Sequence, residues 1–112
     1  MARAASREQF DDPFGFLFIS ISELTDRIKS TLESEFVDVA VSGELSNVSR
    51  PKSGHIYFSL NDQGASIRAV IWRTDAQRLD FEPVDGLAVR AVGRLTIYAP
   101  RGDYQIVVKA IE

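Results

Sequence analysis

The spacing of apolar residues changes period once along the chain, and that change divides it. Ile21, Leu24, Ile28 and Leu32 recur at intervals of three and four, one stripe of a helix, with Asp26, Arg27, Lys29 and Glu33 turned mostly to water. Ser20 followed by Glu23 forms a capping box, and Ile19 and Leu24 occupy the positions of a hydrophobic staple, so a helix is predicted from Ser20 to near Glu35. From Phe36 the period falls to two: Val37, Val39 and Val41 alternate with Asp38, Ala40 and Ser42, and the first strand continues through Gly43 to Leu45. "SRPKSG" (49–54) reads as a polar loop, "HIYFSL" (55–60) as the second strand and "NDQG" (61–64) as a tight hairpin turn. The third strand covers 66–72, with Ile67, Ala69 and Ile71 on one face and Arg68, Val70 and Trp72 on the other. "TDAQRLDF" (74–81) has room for about two helical turns capped by Thr74 or Asp75. After the turn "PVDG" (83–86), a fourth strand runs from Leu87 to near Tyr98; "APRGD" (99–103) turns the chain into a fifth, "YQIVVKAI" (104–111).

The predicted order is helix, three strands, a short helical connection and two more strands. Gly43 and Gly93 fall inside strands, where glycine marks a bulge or a sharp bend, the device that curls a sheet into a small barrel. The fold class that fits is mainly β: a five-stranded OB-fold barrel with an N-terminal helix and a short helix between strands three and four. Residues 1–18 are expected to form an arm and 19–112 the domain, since 112 residues make about one domain with a modest core.

Composition changes this picture little. Hydrophobic residues at 45% and charged ones at 26% describe an ordinary globular chain. The absence of cysteine removes disulfides, thiolate nucleophiles and sulfur-based zinc sites, and makes a reducing, cytoplasmic setting the default. A net charge of -3 argues against a polyanion ligand until its distribution is considered: residues 1–48 hold four basic and nine acidic side chains, residues 49–112 nine basic and seven acidic. The aromatic segment "FDDPFGFLFIS" (10–20) has acidic Asp11 and Asp12 where a signal peptide needs basic residues, and its apolar run is far too short to span a bilayer. It reads instead as an arm laying Phe14, Phe16 and Phe18 on the domain or on a neighbouring chain, a route to self-association.

An OB-fold ligand lies across strands two and three, between the loop joining strands one and two and the loop joining strands four and five. With Ile56, Phe58 and Leu60 turned inward, the outward face offers His55, Tyr57, Ser59, Arg68 and Trp72, and the two loops offer Arg50, Lys52 and Arg101. Single-stranded nucleic acid asks for this mixture, cations for phosphates and flat side chains on which bases stack. Tyr57 is the stacking platform in this scheme, Arg68 reaches a phosphate or a base edge, and His55, the lone histidine, suits an edge hydrogen bond better than catalysis. Trp72 also suits a core edge, Tyr57 a cross-strand packing role, and the loop cations ordinary solvation. Catalytic residues, a metal site and a cofactor are not expected: there is no phosphate-binding glycine loop ending in Lys-Ser or Lys-Thr, no second histidine, and no spacing that gathers Glu44, Asp62 and Asp103 into a metal clamp. "RGD" (101–103) reads as a turn.

"VSGELSN" (41–47), "SGHIYFSLND" (53–62), "IRAVIWR" (67–73) and "YAPRGDYQIVV" (98–108), preceded by "ISELTDRIKSTLESEF" (21–36), together resemble the N-terminal domain of the exonuclease VII (exodeoxyribonuclease VII) large subunit. The resemblance covers residue 19 to the end. It implies an OB-fold domain that binds single-stranded DNA for a bacterial cytoplasmic nuclease, one that degrades single strands from both ends into oligonucleotides without strict need of a divalent metal. The catalytic domain and the helical region that binds several small subunits would follow this domain, so no catalytic residue carries over. Asn61 departs from the family, which commonly has lysine or arginine before the aspartate. Two other classes fit the same features: an assembly module using the sheet face or the arm, and a tRNA anticodon-binding domain, which shares the fold and an aromatic residue on strand two.

Overall fold

The computed structural model describes residues 15–112. Phe14 and most of the predicted arm lie outside the described residues, and 15–20 lead without regular structure into α1 (Ile21–Glu35). There follow β1 (Val39–Ser49), β2 (Ile56–Asn61), β3 (Ser66–Ile71), α2 (Arg73–Ala76), β4 (Ala88–Tyr98) and β5 (Asp103–Ile111). The strands close into a barrel in the order β1-β2-β3-β5-β4. Every neighbouring pair is antiparallel except β3 with β5. This is the five-stranded OB-fold plan, with the N-terminal helix and the short helix after β3.

Period-two alternation builds the interior. Leu45, Ile56, Phe58, Leu60, Ala69, Ile71, Val89, Ala91, Ile106 and Val108 form one cluster drawn from all five strands. Ala76, Leu79 and Phe81, from α2 and the segment after it, pack against that cluster.

The two mid-strand glycines do different work. At Gly43–Glu44, β1 changes partner, pairing with β4 up to Glu44 and with β2 from Glu44 onward. A Cβ on Gly43 would lie 3.0 Å from the Asn61 carbonyl oxygen, so this glycine lets two backbones approach, while the bulge of β1 falls further on, between Ser46 and Ser49. At Gly93 the β4–β5 register shifts, and a Cβ there would stand 2.2 Å from the Val107 carbonyl oxygen. Only glycine fits that bulge.

Several local expectations need correction. The first strand begins at Val39, two residues later than predicted, and extends to Ser49. α2 is a single turn, because its chain leaves the helix to lay Leu79 and Phe81 on the core. α1 has the predicted start, with Ser20 Oγ accepting the Glu23 N–H at 3.0 Å, but none of its residues is buried. It packs against β4, where Glu33, expected to face water, accepts the Thr96 hydroxyl at 2.6 Å and Phe36 O accepts the Leu95 N–H at 3.0 Å. Its apolar stripe, Ile21, Leu24 and Ile28, stays exposed.

Gly93→Ala is expected to destabilise the domain by about 1–3 kcal/mol or more, because the obstacle is backbone and cannot rotate away. Gly64→Ala, where a Cβ meets nothing closer than 3.9 Å, is the matched control. Urea unfolding followed by the fluorescence of Trp72 compares the two, and equal midpoints would contradict the account of the bulge.

Candidate nucleic-acid interface

The outward face of β2 and β3 gathers most of the residues singled out from sequence. Tyr57 is 37% exposed on β2 and Trp72 39% exposed just past β3. His55 stands between them, its ring centroid 4.9 Å from that of Trp72 and 6.3 Å from that of Tyr57, edge-on in both cases. Three rings thus form one aromatic surface rather than isolated platforms.

A long-range hydrogen bond fixes this surface. The Arg73 backbone N–H donates to His55 Nδ1 at 2.9 Å, which leaves Nε2 as the ring's N–H donor. The expectation that strand three includes Trp72 and that Thr74 or Asp75 caps α2 is therefore corrected. Trp72 is itself the N-cap residue, in extended conformation and with no side-chain cap bond. The first N–H of the helix, an orphan donor in any helix, is satisfied by a histidine 18 residues earlier. Gly54, at φ +91°, has the aliphatic stem of Arg73 where its Cβ would be, so the loop before β2 and the start of α2 are pressed together.

Arg68 is exposed on β3, in register with Ser59 of β2 and Gln105 of β5. Ser59 is outward by alternation yet only 6% exposed, so it supplies little surface. Lys52 is exposed in the β1–β2 loop. Arg50, in the same loop, forms an ion pair with Glu82. In the β4–β5 loop, Arg101 lies 4.8 Å over the Tyr98 ring and 3.1 Å from an Asp103 carboxylate oxygen. The Gly102 N–H bonds to Tyr98 O at 2.9 Å, so the chain turns over 99–102 and Asp103 opens β5. Gly102, Asp103 and Tyr104 line a shallow cleft with Ser66, Ile67 and Arg68, which joins this loop to the sheet face.

Tyr98, Tyr104 and Arg73 are not among the site residues expected from the sequence. Tyr98 and Tyr104 are 44% and 53% exposed. Their signal was present, two tyrosines bracketing a Pro-Arg-Gly-Asp turn, whereas Arg73 had none, because only the tertiary bond to His55 brings it to the loop. Asn61, the departure from the resembled family, ties three strands. Its amide nitrogen donates to Ser46 Oγ at 2.6 Å and to Glu44 O at 3.2 Å, and its oxygen accepts the Ser66 hydroxyl at 2.6 Å. Among the described residues no three His, Cys, Asp or Glu side chains are grouped to hold a metal ion. Asp62 Oδ1 accepts the Gly64 and Ala65 N–H groups at 2.8 and 2.9 Å, a turn-forming role.

His55→Ala removes both the acceptor of the Arg73 N–H and the ring against Trp72. A loss of about 1–3 kcal/mol in urea unfolding is expected. An unchanged midpoint would show that the junction does not depend on this bond.

Residues 19–112 match the family described as OB-fold nucleic acid binding domain. The chain is 54% identical over 91 residues to the exodeoxyribonuclease 7 large subunit of Rhodopirellula baltica, covering 81% of this chain and 21% of that protein. It is 47% identical over 94 residues to the corresponding subunit of Geobacter metallireducens, covering 84% and 21%. The chain thus spans about a fifth of the length of these relatives. Among solved structures, the second single-stranded DNA-binding protein of Mycobacterium smegmatis aligns with a TM-score of 0.58 at 18% identity, over 68% of this chain and 84% of that one, a likeness of fold. Among the described residues no helix is long and apolar enough to cross a membrane. The chain belongs to the OB-fold nucleic acid binding domain family and is homologous to the N-terminal OB-fold region of exodeoxyribonuclease VII large subunits.

Proposed function

We propose that this domain binds single-stranded DNA across the outer face of β2 and β3 and, within a full-length nuclease, presents it to a catalytic domain elsewhere in that protein. The small subunits of such an enzyme would engage a separate helical region of that protein. The observation that carries this reading is the continuous surface of Tyr57, His55 and Trp72, flanked by the exposed cations Lys52 and Arg68. Splayed bases stack on such rings, and the cations meet phosphates. His55 Nε2–H offers a donor to a base edge or a phosphate oxygen. Duplex DNA fits less well, since its bases already stack on one another.

An assembly role has one observation in its favour, the exposed stripe of Ile21, Leu24 and Ile28 beside Leu17 and Phe18. It would show as association that ignores salt, or as a dimer lost on deleting residues 1–18.

Fluorescence anisotropy with labelled oligo-dT, oligo-U, a tRNA anticodon stem-loop and duplex DNA tests the proposal, at about 50 and 200 mM salt where phosphate contacts declare themselves. Saturable, salt-sensitive preference for oligo-dT is expected. Tyr57→Ala should weaken that binding by about five- to a hundred-fold, the loss of one stacked base, with unfolding midpoint little changed. Wild-type affinity in a folded Tyr57→Ala protein would overturn the assignment of the face, and preference for the anticodon stem-loop would move the domain to the tRNA-binding class.

A further inference from the structure

Two of the loop cations that the ligand face would use, Arg50 and Arg101, are already occupied by carboxylates of the same chain. The more elaborate case is Arg50. The segment after α2 returns antiparallel to the second half of β1 and is held there at Leu45 and Val48. Leu87 O accepts the Leu45 N–H at 2.9 Å, the Gly86 N–H donates to Leu45 O at 2.7 Å, and Asp85 Oδ1 accepts the Val48 N–H at 2.9 Å. Continuing the same course, Glu82 arrives at Arg50 and pairs with it. Its neighbours are anchored: Phe81 packs on the core and Pro83 is buried. Glu82 is therefore delivered to Arg50 by the backbone course on both sides, although the carboxylate itself is exposed. Arg101 has a local counterpart in Asp103.

From this geometry we infer that Glu82 is an internal counterion, standing where a nucleic-acid phosphate would stand on Arg50, and that ligand binding exchanges one anion for the other. The inference rests on the ligand reading above. Its consequence is a tuned interface. Lys52 and Arg68, which form no ion pair among the described residues, supply steady attraction, whereas the Arg50 contact is gained only by displacing a carboxylate. Because the freed carboxylate attracts cations from solution, the exchange releases less net counterion than a contact from an unpaired arginine, and the contact adds less to the salt dependence of binding. A domain that passes single strands onward needs release as much as capture, and a displaceable internal anion provides for release.

The test is a double-mutant cycle on the 112-residue chain with labelled oligo-dT. Glu82→Gln is expected to raise affinity by about two- to five-fold at low salt, the range of an exposed ion pair. It should also steepen the slope of log affinity against log salt by up to about 0.7, the value for one single-strand phosphate contact. Arg50→Gln should cost little in the wild-type background and should cancel the gain in the Glu82→Gln background. Circular dichroism and urea midpoints confirm that each variant is folded. Unchanged affinity and slope in Glu82→Gln would overturn the inference. So would a gain that survives intact in the double variant, since that would be general charge repulsion and not exchange at Arg50. If wild type shows no binding but Glu82→Gln does, the counterion role is supported in its strongest form. If neither binds oligo-dT at low salt, the inference falls together with the ligand reading, a result distinguishable from wild-type binding that Glu82→Gln leaves unaltered.

Discussion

Everything that this barrel presents to a ligand depends on how closely β4 and β5 approach at Gly93. The Val107 carbonyl occupies the space of a side chain there, at the register shift of a strand that pairs with β1 over Ala88–Gly93 and with β5 over Ala91–Tyr98. Closure of the ring follows, and with it the position of the β4–β5 loop beside the start of β3. The parallel pairing of β3 with β5, which sets Arg68 opposite Gln105, then holds Tyr104 and the β4–β5 loop near Arg68. The proposed ligand face on β2 and β3 thus belongs to a ring that β4 and β5 complete.

A second constraint operates locally. The bond from the Arg73 N–H to His55 Nδ1, together with the seat of the Arg73 stem on Gly54, joins the β1–β2 loop to the helix after β3. The aromatic surface is therefore preorganised: Trp72 and Tyr57 are positioned by the histidine between them. Preorganised rings lose less freedom when a base stacks on them. The charge arrangement complements this rigidity, with Arg68 on the sheet and Lys52 in the first loop unpaired among the described residues, and one paired arginine on each loop.

Much of this was legible in the chain because it is written at short range. The Ser20–Glu23 cap and the alternation of Ile56, Phe58 and Leu60 depend on residues a few positions apart, and both lie where the pattern places them; a glycine inside a strand marks the bulge at Gly93, whereas the bulge of β1 falls beyond Gly43, between Ser46 and Ser49. What was not legible depends on contacts between distant segments. Trp72 reads as the last residue of a strand until His55 is known to cap the following turn. Glu33 reads as a solvated helix residue until Thr96, 63 positions later, donates to it. The apolar stripe of α1 reads as a core-facing stripe, yet helical periodicity says which side of a helix is apolar and not what covers it. Arg50 reads as a free cation because nothing local reveals Glu82. Asn61 is the instructive case: a position marked by its departure from a family pattern is a polar tie between three strands.

The proposed ligand face is the outer side of β2 and β3 with its two loops, and its proposed ligand is single-stranded nucleic acid. Titrating the isotopically labelled domain with short oligo-dT and mapping amide and side-chain chemical shift changes by NMR tests it most directly. The account predicts that the largest changes fall on Lys52, His55, Tyr57, Arg68, the Trp72 indole and the Tyr98–Tyr104 loop, while α1 stays unchanged. Changes concentrated on Ile21, Leu24 and Ile28, with the aromatic face silent, would contradict it.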